Sequence, residues 1–224
     1  MWGIPVVTSK TVYPFLESIG IRPWSVLEPP VDLETYKAGE LSDEQQSELR
    51  FAPKAEVVTY RDPQGNPYRA FRTVMKDWAT TFCLLPGDLV VLVGEWKHGA
   101  NVISLVPPSG VPSKKDNNSM EACALREFIE ETGITIARVQ PLSVNGLPIA
   151  SRGLTSRYFP FLGRSIVYTI GTPSLDKNET LQPLLMPLTE WLKLIETGMV
   201  QEECAVSVTY LALRKLGRLK LVDD

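Results

Sequence analysis

Apolar residues in this chain come in short runs, with a strand-like rhythm through the middle and a helical one towards the end. Ala55 to Tyr60 and Tyr68 to Lys76 flank the turn-rich Arg61-Asp62-Pro63-Gln64-Gly65-Asn66-Pro67, which predicts an antiparallel hairpin. Ala79 to Leu85 and Leu89 to Val93 flank Pro86-Gly87-Asp88 and are apolar almost throughout, so a second hairpin buried on both faces is expected. Val102 to Val106, Val139 to Val144 and Ile166 to Ile170 are further apolar segments. Helical signals begin at Asn118 or Ser119, either of which can cap, with Glu121 able to complete a capping box from Asn118 and Gly133 supplying the stop. In that helix Ala122, Leu125 and Ile129 predict a packing face largely separate from the acids.

Two more helices are expected, Thr189 to Thr197 closed by Gly198 and Glu202 to Leu216 closed by Gly217. Strands surrounding one early helix and followed by terminal helices predict an α+β fold built on a mixed β-sheet. Residues 1–50 carry Pro5, Pro14, Pro23, Pro29 and Pro30 and read as an extended arm with a short helix near Asp43 to Arg50. The expected division is an arm over 1–54, a hairpin and candidate dimerisation element over 55–77, a main domain over 78–217 and a tail over 218–224.

The chemistry concentrates in Arg126-Glu127-Phe128-Ile129-Glu130-Glu131-Thr132-Gly133-Ile134. Glu127, Glu130 and Glu131 stand at i, i+3 and i+4, so their carboxylates leave one helical face and can converge on a single hard cation. Magnesium suits such a set, because it takes carboxylate oxygens, keeps waters and shares positions with substrate phosphates. The plainer alternative is a solvated acidic face with i,i+4 support from Arg126 to Glu130.

Composition narrows the classes. With 224 residues, a net charge of −3 and a pI near 5.4, the chain carries no basic footprint for nucleic acid. Its apolar runs fall short of the roughly 20 residues a membrane span needs, and no signal peptide is seen, so a cytoplasmic protein is expected. Cys83, Cys123 and Cys204 lack metal-ligand spacing and read as buried free thiols. The single His98 makes a histidine-based triad improbable.

The run Arg126 to Ile134 resembles the second half of the Nudix box, G-x5-E-x7-R-E-U-x-E-E-x-G-U, and fits it throughout. The first half departs. Without a gap the glutamate position falls on Asn118 and the glycine on Pro112; a second alignment takes Gly110 as the glycine and Asp116 as the acid, with two extra residues before Arg126. The stretches Leu92 to Gly99, Leu105 to Gly110 and Pro187 to Val200 are similar to the ADP-ribose pyrophosphatase branch of that family.

The resemblance implies an α/β/α sandwich and magnesium or manganese held by Glu127, Glu130 and Glu131, with Arg126 steadying them and Asp116 added as a fourth ligand. It implies hydrolysis of a nucleoside diphosphate derivative such as ADP-ribose, with Trp96 and Lys97 near the substrate, and a homodimer built with N-terminal strands. In that branch a downstream loop often supplies the general base. Here the matching Ser151 to Arg157 offers Arg152 and Arg157 instead, which suits a phosphate clamp. The base is then expected in the helix, as Glu130 or Glu127. A catalytically reduced nucleotide-binding module is the alternative.

Overall fold

The continuous apolar runs become the centre of a sheet and the periodic ones its helical cover. A computed structural model describes residues 3–49, 52–164, 168–175 and 179–219. Its elements begin with α1 (Val12–Ser18), α2 (Leu33–Ala38), α3 (Asp43–Glu48), β1 (Lys54–Arg61), β2 (Pro67–Val74), β3 (Trp78–Leu85), β4 (Leu89–Lys97), β5 (Val102–Val106) and β6 (Ser109–Gly110). A 3-10 turn (Lys114–Asp116) leads to α4 (Met120–Thr132), then β7 (Ile134–Thr135), β8 (Arg138–Pro141), β9 (Leu147–Pro148), β10 (Arg157–Arg164), β11 (Thr169–Ile170), β12 (Leu181–Pro187), α5 (Leu188–Glu196) and α6 (Glu203–Lys215).

Two compact units emerge, one of Met1–Pro23, Lys76–Ile149 and Arg157–Asp224, the other of Trp24–Met75 and Ala150–Ser156. This differs from the expected division, because the first 23 residues belong with the sheet and not with an arm. Val7 N–H donates to Leu185 O at 2.8 Å and Leu185 N–H to Pro5 O at 2.9 Å, so the start of the chain lies along β12. Leu16 of α1 fills the space left by Gly94, where a Cβ would stand 2.6 Å from Leu16 Cδ2.

In the first unit the main sheet runs β12-β4-β3-β10-β8, with β5 on β4, β6 on β3 and β9 on β10. It is mixed: β10 runs parallel to β3, and its other pairings are antiparallel. β3 and β4 pair only beside their turn, at Leu84 with Val90 and Leu85 with Leu89. Beyond it they fork, β4 taking β5 as partner and β3 taking β6. Phe128, Cys123 and Ala124 of α4 pack on one face with Ala79, Cys83, Val91 and Phe161. Leu16, Trp191 and Leu213 pack on the other with Phe82, Leu92 and Leu184. The result is the expected α+β sandwich of helices on both faces of a mixed sheet.

The packing face of α4 is not the one its apolar spacing suggested. Cys123, Ala124, Phe128, Glu131 and Thr132 are buried, whereas Ala122 is exposed and Leu125 and Ile129 are partly covered. The helix therefore turns its acidic side towards the protein. Ser119 is the N-cap, accepting from Ala122 N, while Asn117 and Asn118 take left-handed conformations at φ 49° and 61°. Of the segment Ile166 to Ile170, Thr169–Ile170 pairs with β7, and Ile166 lies outside the described residues, as does Arg50 at the end of the expected early helix.

In the second unit β1 and β2 pair from Lys54 with Val74 to Arg61 with Pro67. Among its described residues only Ser156 is buried, so the hairpin has no apolar core of its own.

Gly133 closes α4 at φ 69°, and a Cβ there would lie 2.5 Å from Gly171 O. Gly198 closes α5 at φ 71° with nothing within 4 Å. Gly133→Ala is expected to cost about 3 kcal/mol, left-handed strain plus a backbone clash, and Gly198→Ala about 1 kcal/mol from strain alone. Equal losses in urea unfolding would show that the Gly133–Gly171 approach is not a constraint.

Candidate active site

Arg126 is the hub of the cluster on α4. Its Nε donates to Asp116 Oδ1 and its Nη2 to Asp116 Oδ2, both at 2.8 Å. Nη1 lies 2.7 Å from Glu130 Oε2 and 2.9 Å from Glu127 Oε1, and Nη2 also donates to Val111 O at 3.3 Å. A planar fork suits this task because it meets a carboxylate bidentately and still has a nitrogen free for the next acid.

Asp116 is almost fully buried, and its Oδ2 also accepts from Ser113 N at 2.7 Å and Ser113 Oγ at 3.0 Å. The bonds from Arg126, ahead of those from Ser113, hold its carboxyl well below the usual range in spite of burial. Both oxygens are thus committed to protein donors. Metal ligation by Asp116 gives way to a different role, the anchoring of Arg126. The geometry matches the gapped alignment: Gly110 lies against Glu127, where a Cβ would sit 2.1 Å from Glu127 Cδ.

Glu131 is buried, and its Oε2 accepts from Ser109 N at 3.0 Å. β6 delivers that N–H directly onto the helix. Burial raises the Glu131 carboxyl well above its ordinary value; the Ser109 bond opposes this, and the charges of Glu95, Glu127 and Glu179 add to it. Burial likewise pushes Glu127 up to about 7, against the pull of Arg126. Glu130 is the most open of the three, its side chain 32% exposed.

The other expected site residues divide. Lys97 Nζ stands 2.6 Å from Glu95 Oε1, and its ammonium is held above its usual value because Glu95, Glu202 and Glu131 together outweigh burial. Trp96 points to the opposite side of β4 from Lys97 and is buried. Arg157 donates from Nη1 to Asn145 O at 3.1 Å and Gly146 O at 3.4 Å, and its N–H donates to Asp77 Oδ1 at 2.8 Å. Through Nη1 it staples the 145–148 loop to β10. Arg152 is exposed in the second unit. Sequence reasoning missed Glu95 and Ser109; the i, i+2 alternation of Glu95 and Lys97 on one strand was the available signal for the former.

Among the described residues no three His, Cys, Asp or Glu side chains stand ready-made as a metal site. Arg126 is placed on Glu127 and Glu130 instead. The donor chemistry nevertheless fits a hard divalent cation. Glu127 and Glu131 are carboxylates sunk where burial opposes their charge, and carboxylate oxygens are the donors such an ion takes.

Neither the protein-family models nor the curated protein sequences give a match to this chain. Among solved structures the chain is similar to one described as the crystal structure of an ADP compounds hydrolase, with a TM-score of 0.62 and 20% identity over 75% of this chain and 90% of that one. The likeness is one of fold.

A carboxyl lowered in the folded state stabilises fully above its ordinary value, 3.8 for Asp116, and that stabilisation is lost as pH falls through and below it. Asp116→Asn is expected to cost about 3 kcal/mol at neutral pH, the loss shrinking in acid, while Asn118→Ala costs about 1 kcal/mol or less. Denaturant unfolding of both variants across that range checks the order; a larger effect of Asn118→Ala would restore the ungapped alignment.

Proposed function

We propose that this protein is a Nudix-type hydrolase, dependent on magnesium or manganese, that cleaves the diphosphate of a nucleotide-sugar type substrate such as ADP-ribose. The products are a nucleoside monophosphate and a phosphorylated leaving group. The observation that carries this reading is the hub itself: Arg126, anchored by Asp116, holds Glu127 and Glu130 beside Glu131 where only a glycine, Gly110, fits against them. The fold likeness to an ADP compounds hydrolase supports it.

In this reading Glu127, Glu130 and Glu131 hold the cation. When bound, it would neutralise pyrophosphate charge and lower the pKa of an attacking water. Lys97 offers a second positive charge to the phosphates. Glu130, the most accessible carboxylate, takes the water's proton, since Glu127 is pressed against Gly110 and Glu131 is occupied by Ser109. A second reading, a nucleotide-binding module with little turnover, draws on Arg157, which stands where the branch offers an acid and is tied to backbone carbonyls.

The hairpin of the second unit exposes Val57, Tyr60, Tyr68 and Phe71, and an isolated two-stranded hairpin is marginal in water. A homodimer that covers it is part of the proposal. Phe71→Glu is expected to reduce the mass in sedimentation to one chain, and an unchanged mass would reject this interface.

Nucleoside diphosphate derivatives incubated with magnesium or manganese, followed by product identification, test the activity. Stabilisation by a nucleotide without turnover would favour the second reading. Glu131→Gln is expected to abolish most turnover yet raise the thermal midpoint of the metal-free protein by roughly 3 °C at neutral pH. The sign follows from a raised carboxyl: the folded state favours its proton, so the stability it confers fades as pH rises past its ordinary 4.5. Full turnover in this variant would reject the metal-site assignment.

A further inference from the structure

Alternation along β4 puts Glu95 and Lys97 on one side of the strand, opposite the buried Trp96. Their side chains are partly covered, 22% and 34% exposed, and joined by a 2.6 Å ion pair. In the β4–β5 register Glu95 faces Ser104, so the two share a side of the sheet. Ser104 is 4% exposed, and its Oγ has no hydrogen-bond partner among the described residues. A buried hydroxyl left unpaired is costly and marks a position that another arrangement satisfies. The charge of Glu95 is felt at Glu131, and Lys97 is drawn towards Glu131 and Glu202 as well as Glu95.

Resting on the metal reading above, we propose that Lys97 is the resident counter-ion of the acidic cleft, seated on Glu95 in the metal-free protein and released when a divalent cation binds. The cation cancels the attraction of the Glu131 side and repels the ammonium. Glu95 then accepts a hydrogen bond from Ser104 Oγ, whose lack of a partner is explained. Release of Lys97 frees its charge for a phosphate, so the site gains its second cation only once the first has arrived.

Direct manganese binding to the full chain, followed by the electron paramagnetic resonance of the free ion, tests this together with acylation of Lys97 read by mass spectrometry. Lys97→Met and Lys97→Gln are expected to bind manganese roughly tenfold more tightly than the parent, and Lys97→Arg, which keeps the charge, to match it. In the parent, saturating manganese is expected to speed Lys97 acylation about threefold or more, as an ammonium loses its carboxylate partner. The labelling stands whether or not the neutral variants fold. Manganese binding by the parent with unchanged or weaker binding by both neutral variants would overturn the proposal, as would an acylation rate that manganese leaves constant or slows. Absence of manganese binding in parent and variants alike, or undiminished binding by Glu131→Gln, would instead overturn the metal site, and the counter-ion role with it.

Discussion

Everything around the acidic helix depends on the pairing of Arg126 with Asp116. Burying a guanidinium and a carboxylate has a desolvation cost that the Coulombic attraction only offsets when geometry is good and remaining donors are satisfied. Here two parallel bonds, two Ser113 donors and the carbonyl of Val111 meet that condition. The return is positional more than energetic. With its Nε and Nη2 fixed, Arg126 can present Nη1 to Glu127 and Glu130 in only a narrow range of directions, and the two carboxylates inherit that order.

The fork in the sheet supplies the other half of the arrangement. Because β3 and β4 separate after two pairs, the chain from β5 to β6 can cross from one to the other and bring Ser109 and Gly110 under α4. A backbone N–H then satisfies Glu131, and a missing side chain admits Glu127. The cluster is held from two directions, by a side chain on its own helix and by main chain from the sheet. Carboxyl groups whose charge burial opposes are a destabilising element that the surrounding core must carry, as is common where a site is prepared for a ligand.

Much of this was legible in the sequence. Of the central sheet β3, β4, β5 and β8 follow from run length and turn residues, as do both terminal helices, the α+β class and the helix stop at Gly133, whereas β10 and β12, each interrupted by proline, do not. The spacing of Glu127, Glu130 and Glu131 showed a shared face. It could not show that this face turns inward, because the covering partners, Ser109 and Gly110, come from a loop distant in sequence, and the apolar residues Ala122 and Ile129 pointed the other way. Asp116 was legible as an acid of the loop and not as an anchor, since its role depends on a turn that aims it at Arg126. For Trp96 and Arg157 residue type suggested a ligand contact, and the sequence did not show that the one is buried on its strand face or that the other donates to two loop carbonyls.

The segment Pro5 to Val7 lies along Leu185, and Ser9 N–H donates to Glu190 Oε2 at 2.9 Å. These contacts join segments far apart in the sequence, 181 residues in the case of Ser9 and Glu190. A chain emerging at a steady rate can pair β3 with β4 early, yet Pro5 to Val7 have no seat until residues near 185 have left the exit tunnel. The edge of β12 is therefore covered only after β12 itself has been made. Pro5 to Val7 work as a late-closing clasp over a strand that would otherwise offer its unpaired amides to neighbouring chains.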